Sequence, residues 1–491
     1  MRLLTSDNAR FVWLQGAPGT GKTAIAKSIA DSLDQEKRLA ASFFWDKTGG
    51  RAHANTIELF PSTLAGQLTT FSQDYEMLLV NRLLDRTSRS ALKYPLEKRM
   101  DELVIQPMSL ISEAFSSAKY QPVIVLDGLD ECGDNNALAQ LMELVLLLDK
   151  LPHNFVILVS SRPEPEVRDA WSSRDIPCVY MDNIPKNDTD DTIGEMVRDG
   201  LAKIHQSRLP DWGPSDSELC AFIQICRQLP ALAELRIREV RFLTRTLTLP
   251  RAFRRVMDDA AVATDLSGEY LRILRRAYSG APPDVLRTYR GVVGAVIAAR
   301  EPLSMGTTSK ILGISREDIL AALNPIGSII DVPTSDGGLA RFYHATTKEF
   351  LIGPPQGNKD DEEFFISNAN GAFLIRLLKT LNTANNLKCN MSTEIPLSKR
   401  IIRPSRFSAV GRDRDENMLG QDAKHVAYAA ENWSKHLDLS SASEELWEEL
   451  RLFLATKLLF WIELPMNPVL ALEAALKQEK VSRLPSLEAM M

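Results

Sequence analysis

Eight residues near the start of the chain, Gly16-Ala17-Pro18-Gly19-Thr20-Gly21-Lys22-Thr23, leave little choice of local fold. They fit the pattern GxxxxGK[ST] and lie between an apolar run, Phe11–Gln15, and a stretch in which Ile25, Ala26, Ile29, Ala30 and Leu33 recur at helical spacing. A strand before and a helix after are what separate a phosphate-binding loop from a chance glycine-rich turn. The glycines let successive backbone N–H groups point inward at phosphate oxygens. Lys22 then reaches the β/γ oxygens, Thr23 offers its hydroxyl to Mg2+, and the helix adds its positive N-terminal end. Alone, such a loop says only that a nucleoside triphosphate is bound.

A second motif narrows the chemistry. Val123-Ile-Val-Leu-Asp127 is a buried-strand pattern that ends in a carboxylate, which puts Asp127 at a strand tip where it can hold a magnesium-bound water. Gly128-Leu129-Asp130-Glu131 adds two acids, and either Asp130 or Glu131 is placed to orient or deprotonate an attacking water. Phe155-Val-Ile-Leu-Val159 runs into Ser160-Ser161-Arg162-Pro163. Ligands of open α/β sheets bind at the carboxyl ends of the strands, so Arg162 is expected on the same rim as Lys22 and Asp127, as a γ-phosphate reader or as an ordinary surface arginine. Asn358-Lys359-Asp360-Asp361 matches the guanine-reading NKxD pattern but follows a Pro-Pro-Gln-Gly loop and no apolar strand. Adenine is the base expected.

Composition sets the outer limits. With 491 residues, formal charge −6, 44% hydrophobic and 25% charged residues, the chain excludes wholesale disorder, collagen-like repetition and a multispan membrane protein. Its length suggests about three domains. The slightly acidic balance leaves no electrostatic footprint for nucleic acid. Cys132, Cys178, Cys220, Cys226 and Cys389 form no CxxC pair, which fits a reduced compartment and argues against a disulfide framework or a zinc site. The N-terminus lacks a signal-peptide h-region, and the most membrane-like stretch, Leu452–Leu464, is short and carries Lys457 and Glu463, so no membrane span is expected.

The pattern along the chain gives four parts. Residues 1–185 alternate strand and helix signals and read as an α/β P-loop NTPase domain with a parallel sheet. The polar run Asn183–Asp191 marks the boundary to a helical domain, 186–280. Residues 281–355 are read as winged-helix-like: Val285–Ala299, Ser304–Leu312 and a helix capped by Ser315-x-x-Asp318, then strand-like Ser328–Val332 and Leu339–His344 around a Thr334–Gly338 turn. Basic and acidic residues balance at seven each over Asp284–Ile352, and Glu317 and Asp318 start the third helix. That balance favours a structural role over DNA binding. Residues 356–491 are expected to be all-α, with an irregular basic stretch at Ser398–Arg414, and no repeat of solenoid period occurs.

GAPGTGKTAIAKSIA, FFWDKT…LFPSTLAGQL, VIVLDGLDEC, VSSRPEPEVR, FYHATTKEFL and AYAAENWSKHL together resemble the NACHT class of STAND P-loop NTPases, most closely the fungal branch whose nucleotide domain is also described as nephrocystin-3-like. The resemblance implies a nucleotide-operated switch: ADP-bound and closed, then ATP-bound, self-associated or joined to other NACHT-type proteins, and engaging an effector. It implies Lys22 and Thr23 as phosphate and magnesium contacts, Asp127 as the magnesium acid, Asp130 or Glu131 as the hydrolytic acid and Arg162 as the sensor. His344 matches the histidine that holds the β-phosphate of ADP, and Pro230 matches the proline beneath the nucleotide, although the usual preceding glycine is absent from Gln228-Leu-Pro230. Other departures are the fifteen residues before Gly16, where relatives carry an effector region, the absence of sensor repeats, and Trp45-Asp46-Lys47 where an arginine is usual. The expectation is a cytoplasmic ATP-binding signalling NTPase with slow, Mg2+-dependent hydrolysis. The alternative is a truncated, non-catalytic interaction paralogue.

Overall fold

The computed structural model describes residues 10–47, 57–84, 94–113, 121–173, 178–181, 186–205, 212–260, 265–333, 335–384, 424–437 and 443–456. The chain forms two compact units, Met1–Arg272 with Phe342–Thr347, and Ile273–Arg341 with Lys348–Met491.

The first unit is built on five parallel strands, β1 Phe11–Gln15, β2 Leu39–Phe44, β3 Val123–Asp127, β4 Val156–Ser161 and β5 Cys178–Met181, in the order β2-β3-β4-β1-β5. The near-continuous apolar runs reflect a sheet covered on both faces. Alternate residues divide between those faces. Val12, Val123, Val125, Val156 and Leu158 pack with Ala26, Ala30 and Leu33 of helix α1, Lys22–Gln35. Phe11, Trp13, Ile124, Leu126, Ile157 and Val159 face a larger core. That core is closed by α2 Phe60–Phe71, α3 Gln73–Leu84, α4 Asn135–Leu147 and α5 Pro165–Ser173.

A helical part follows: α6 Lys186–His205, α7 Asp216–Ile225, α8 Pro230–Leu243, α9 Leu249–Ala260 and α10 Leu266–Tyr278. Its core joins Ile193, Val197, Phe222, Ala233, Val240 and Phe253. Helix α6 starts inside the polar run Asn183–Asp191.

Further along the chain, α11 Pro283–Ala298, α12 Met305–Leu312 and α13 Arg316–Leu323 precede two short strands, β6 Ile330–Asp331 and β7 Arg341–Phe342. Ser315 caps α13 by accepting the Asp318 N–H at 3.1 Å. The strands are shorter than the apolar runs, which continue past the paired residues. Helices α14 Ala345–Ile352, α15 Ala369–Thr383, α16 Lys424–Leu437 and α17 Glu444–Thr456 follow. The basic stretch Ser398–Arg414 and the end of Leu452–Leu464 lie outside the described residues. No helix of the described residues is long and apolar enough to cross a membrane.

Candidate nucleotide-binding site

Strand order and register bring the motifs together. Strand β4 lies between β1 and β3 and pairs Ser161 with Gln15 and Ser160 with Asp127. The loop after β1, Asp127 at the tip of β3 and Arg162 just past β4 therefore share one carboxyl edge, where open α/β sheets carry their ligands.

Gly19 and Gly21 take φ of 79° and 90°, a left-handed conformation open to glycine at little cost. Gly19 is required for a second reason, since a Cβ there would stand 2.9 Å from Ala231 Cβ and 3.1 Å from Leu266 Cδ1. Thr20 closes the loop by donating its hydroxyl to Ala17 O at 2.9 Å. Lys22 donates through Nζ to Gly16 O at 2.8 Å and Ala17 O at 3.0 Å. Burial lowers its pKa, opposed by the charges of Asp130, Asp127 and Glu131.

The three acids have different surroundings. Asp127 is 1% exposed, accepts the Ser160 hydroxyl, and is hydrogen-bonded to the Thr23 side chain; burial pushes its pKa up, against those hydrogen bonds and Lys22. Asp130 clamps Arg162, accepting its backbone N–H at 3.0 Å on Oδ1 and facing its Nε at 3.0 Å through Oδ2. Glu131 accepts the Lys47 backbone N–H on Oε2 at 3.0 Å, and burial pushes its carboxyl up to about 7. Gly128, at φ 73°, turns the chain between Asp127 and these two acids.

Pro230 opens α8, and Ala231 donates its N–H to Gly19 O at 3.2 Å. Gly21 faces Pro230, whose Cγ would lie 3.8 Å from an added Cβ. The glycine missing before Pro230 is replaced in conformation, since Gln228 adopts φ 61° and Arg227 φ 49°. His344 lies in the Phe342–Thr347 strip of the first unit. Its Nδ1 accepts the Thr346 N–H at 3.2 Å and lies 2.6 Å from Thr346 Oγ1, which meets Tyr270 Oη at 2.8 Å. Tyr343 in the same strip lies under Arg238, 4.3 Å from the guanidinium to the ring centre.

The motifs do not announce Ser160, Lys47, Ala231 or Leu266. Lys47, where an arginine is usual, reaches the rim with both its amide and its ammonium, which donates to Asp130 O at 3.2 Å. That contact depends on β2 lying beside β3, a pairing no local motif announces. By contrast, Asn358-Lys359-Asp360-Asp361 forms a capping box, and Asp361 takes a bidentate pair from Arg275. Its side chains are used structurally.

Fold and site define a P-loop nucleotide-binding domain followed by helical regions. A ring of loop N–H groups, one ammonium and a hydroxyl beside a buried carboxylate form a donor set suited to a magnesium nucleotide. Residues 2–162 match the family model described as Nephrocystin 3, N-terminal, in line with the resemblance of its motifs. The vegetative incompatibility protein HET-E-1 of Podospora anserina is 21% identical over 497 residues, covering 93% of this chain and 33% of that protein. The chain thus spans about a third of that relative's length. Among solved structures, a Walker-type ATPase of Pyrococcus abyssi is 14% identical with a TM-score of 0.34, covering 71% of this chain and 92% of that one. Cdc6p of Pyrobaculum aerophilum is 13% identical with a TM-score of 0.30, covering 74% and 90%.

Proposed function

We propose that the chain is a cytoplasmic, ATP-operated signalling switch that hydrolyses its nucleotide slowly. The observation that carries this reading is the convergence of Lys22, Thr23 and Asp127 with Glu131 and the Asp130–Arg162 pair on one sheet edge. With nucleotide bound, Lys22 would exchange its loop carbonyls for β/γ-phosphate oxygens, and Gly16, Ala17, Gly19, Thr20 and Gly21 would offer backbone N–H groups to the phosphates, while Pro18, which has no N–H, shapes the loop around them. Thr23 and Asp127 are the residues that would hold Mg2+, which neutralises phosphate charge when bound.

Glu131 is the better general base of the two candidate acids. Asp130 is committed to Arg162, whereas Glu131 keeps a carboxylate whose basicity is matched to neutral pH. Asp130 then aims Arg162 at the charge that develops on the transferred phosphoryl group. Pro230 flanks the nucleotide from α8, and His344 supplies the β-phosphate contact of the ADP state. Adenine is favoured because the residues of the guanine-type motif serve as a helix cap. In the ATP state the chain joins copies of itself or other NACHT-type proteins and passes the signal to an effector.

Calorimetric titration with MgATP and MgADP, followed by phosphate release, tests the reading. Binding lost in Lys22→Ala, and turnover lost with binding kept in Glu131→Gln, are the expected results. Tight binding without any turnover in the wild type would leave the non-catalytic interaction protein as the better description.

A further inference from the structure

A fully buried ion pair joins the elements that hold the loop. Arg236 on α8 and Glu269 on α10 are each 0% exposed. Arg236 donates Nε and Nη2 to Glu269 Oε1 at 2.9 and 2.7 Å, and Nη1 to the carbonyl of Ile225, the last residue of α7. Glu269 Oε2 accepts from Arg272 Nε at 2.7 Å. Replacing such a pair with apolar side chains is often neutral or stabilising, so stability does not explain its presence.

The three tied elements meet again at the P-loop. Ile225 leads into Arg227 and Gln228, both with positive φ, and this turn delivers Pro230 and Ala231 to Gly19. Non-glycine residues hold that conformation only where their surroundings over-determine it, and the guanidinium fixed on the Ile225 carbonyl is such a constraint. Helix α10 starts at Leu266, the other side chain that closes on Gly19. We propose that Arg236 and Glu269 are positioning residues of the nucleotide site, clasping the first turns of α8 and α10 against the phosphate-binding loop. This rests on the reading of Gly16–Thr23 as a nucleotide loop.

The test uses the full chain with the double substitution Arg236→Met and Glu269→Leu, which keeps side-chain bulk and removes the guanidinium from the Ile225 carbonyl. MgADP affinity is measured by calorimetry, and thermal unfolding without nucleotide controls for the fold. The expected result is an unchanged or higher unfolding midpoint with affinity about tenfold weaker. Glu269→Gln keeps an acceptor for Arg236 and is expected to lose about threefold; it decides the matter should the double variant not fold. Wild-type affinity in the folded double variant, or in Glu269→Gln if it alone folds, overturns the proposal. So does an affinity loss that merely tracks a falling midpoint. A wild-type chain that binds MgADP no better than Lys22→Ala overturns the nucleotide reading itself, and the clasp with it.

Discussion

Asp130 and Glu131 are sequence neighbours with opposite commitments, one clamped to Arg162 and the other buried under the Lys47 amide. Removing the base should therefore cost turnover and little binding. Glu131→Gln is expected to lower phosphate release by about 10²-fold or more with nucleotide affinity nearly unchanged, and a variant that turns over normally would return the assignment to Asp130. The raised carboxyl of Glu131 also has a sign that can be checked. Its folded value of about 7 lies above the ordinary 4.5, so between those values the folded protein holds a proton that the unfolded chain has released, and this group's contribution to stability falls as pH rises through that window. The wild-type unfolding midpoint should drop between about pH 5 and pH 8 relative to Glu131→Gln, whose amide does not ionise. Parallel curves for the two proteins would contradict the assigned shift. Hydrolysis runs the other way and should rise through about pH 7 as the base loses its proton.

At the scale of elements, the turn before α8 makes the sharpest prediction. A non-glycine residue in the left-handed region costs about 1–2 kcal/mol, partly offset by the entropy that glycine loses on folding. Gln228→Gly should stabilise the first unit by about 1 kcal/mol, read as a higher denaturation midpoint; a lower midpoint would mean that the Gln228 side chain contributes more than its backbone costs. Gly19→Ala should do the reverse, meeting Ala231 and Leu266 at once, with a loss of about 1–3 kcal/mol and of nucleotide binding. These elements also mark how far the sequence could be read. Strands β1, β3 and β4 were legible because covered parallel strands are written as apolar runs, and the loop because glycine, lysine and threonine must occur at fixed spacing. The edge strand Cys178–Met181 is not legible, since four residues between Pro177 and Asp182-Asn183 are too short a run to carry a periodic signal. The Asp130–Arg162 clamp was illegible for another reason: it depends on β3 lying beside β4, a tertiary fact. Gln228 hid its left-handed backbone because the usual marker of that conformation is a glycine.

For the whole molecule, the question is whether binding at one edge of the first unit is strong enough to operate a switch. Moving a two-state equilibrium from about 1:99 to 99:1 takes about 5.5 kcal/mol of differential affinity. No single contact supplies that, and the proposed reading spreads it over phosphate, magnesium, Pro230 and His344. Saturation should also register in stability. At about 100 times Kd a ligand that binds only the folded state adds about 2.7 kcal/mol, so MgADP should raise the thermal midpoint of the wild type and leave that of Lys22→Ala unmoved. The decisive measurement is the nucleotide content and affinity of the purified chain: release and identify any retained nucleotide, then titrate ATP and ADP with and without Mg2+. Retained ADP, or micromolar or tighter binding, about 8 kcal/mol, that vanishes in Lys22→Ala is the outcome expected. Protein that is free of nucleotide and binds neither ligand below millimolar concentration would contradict it.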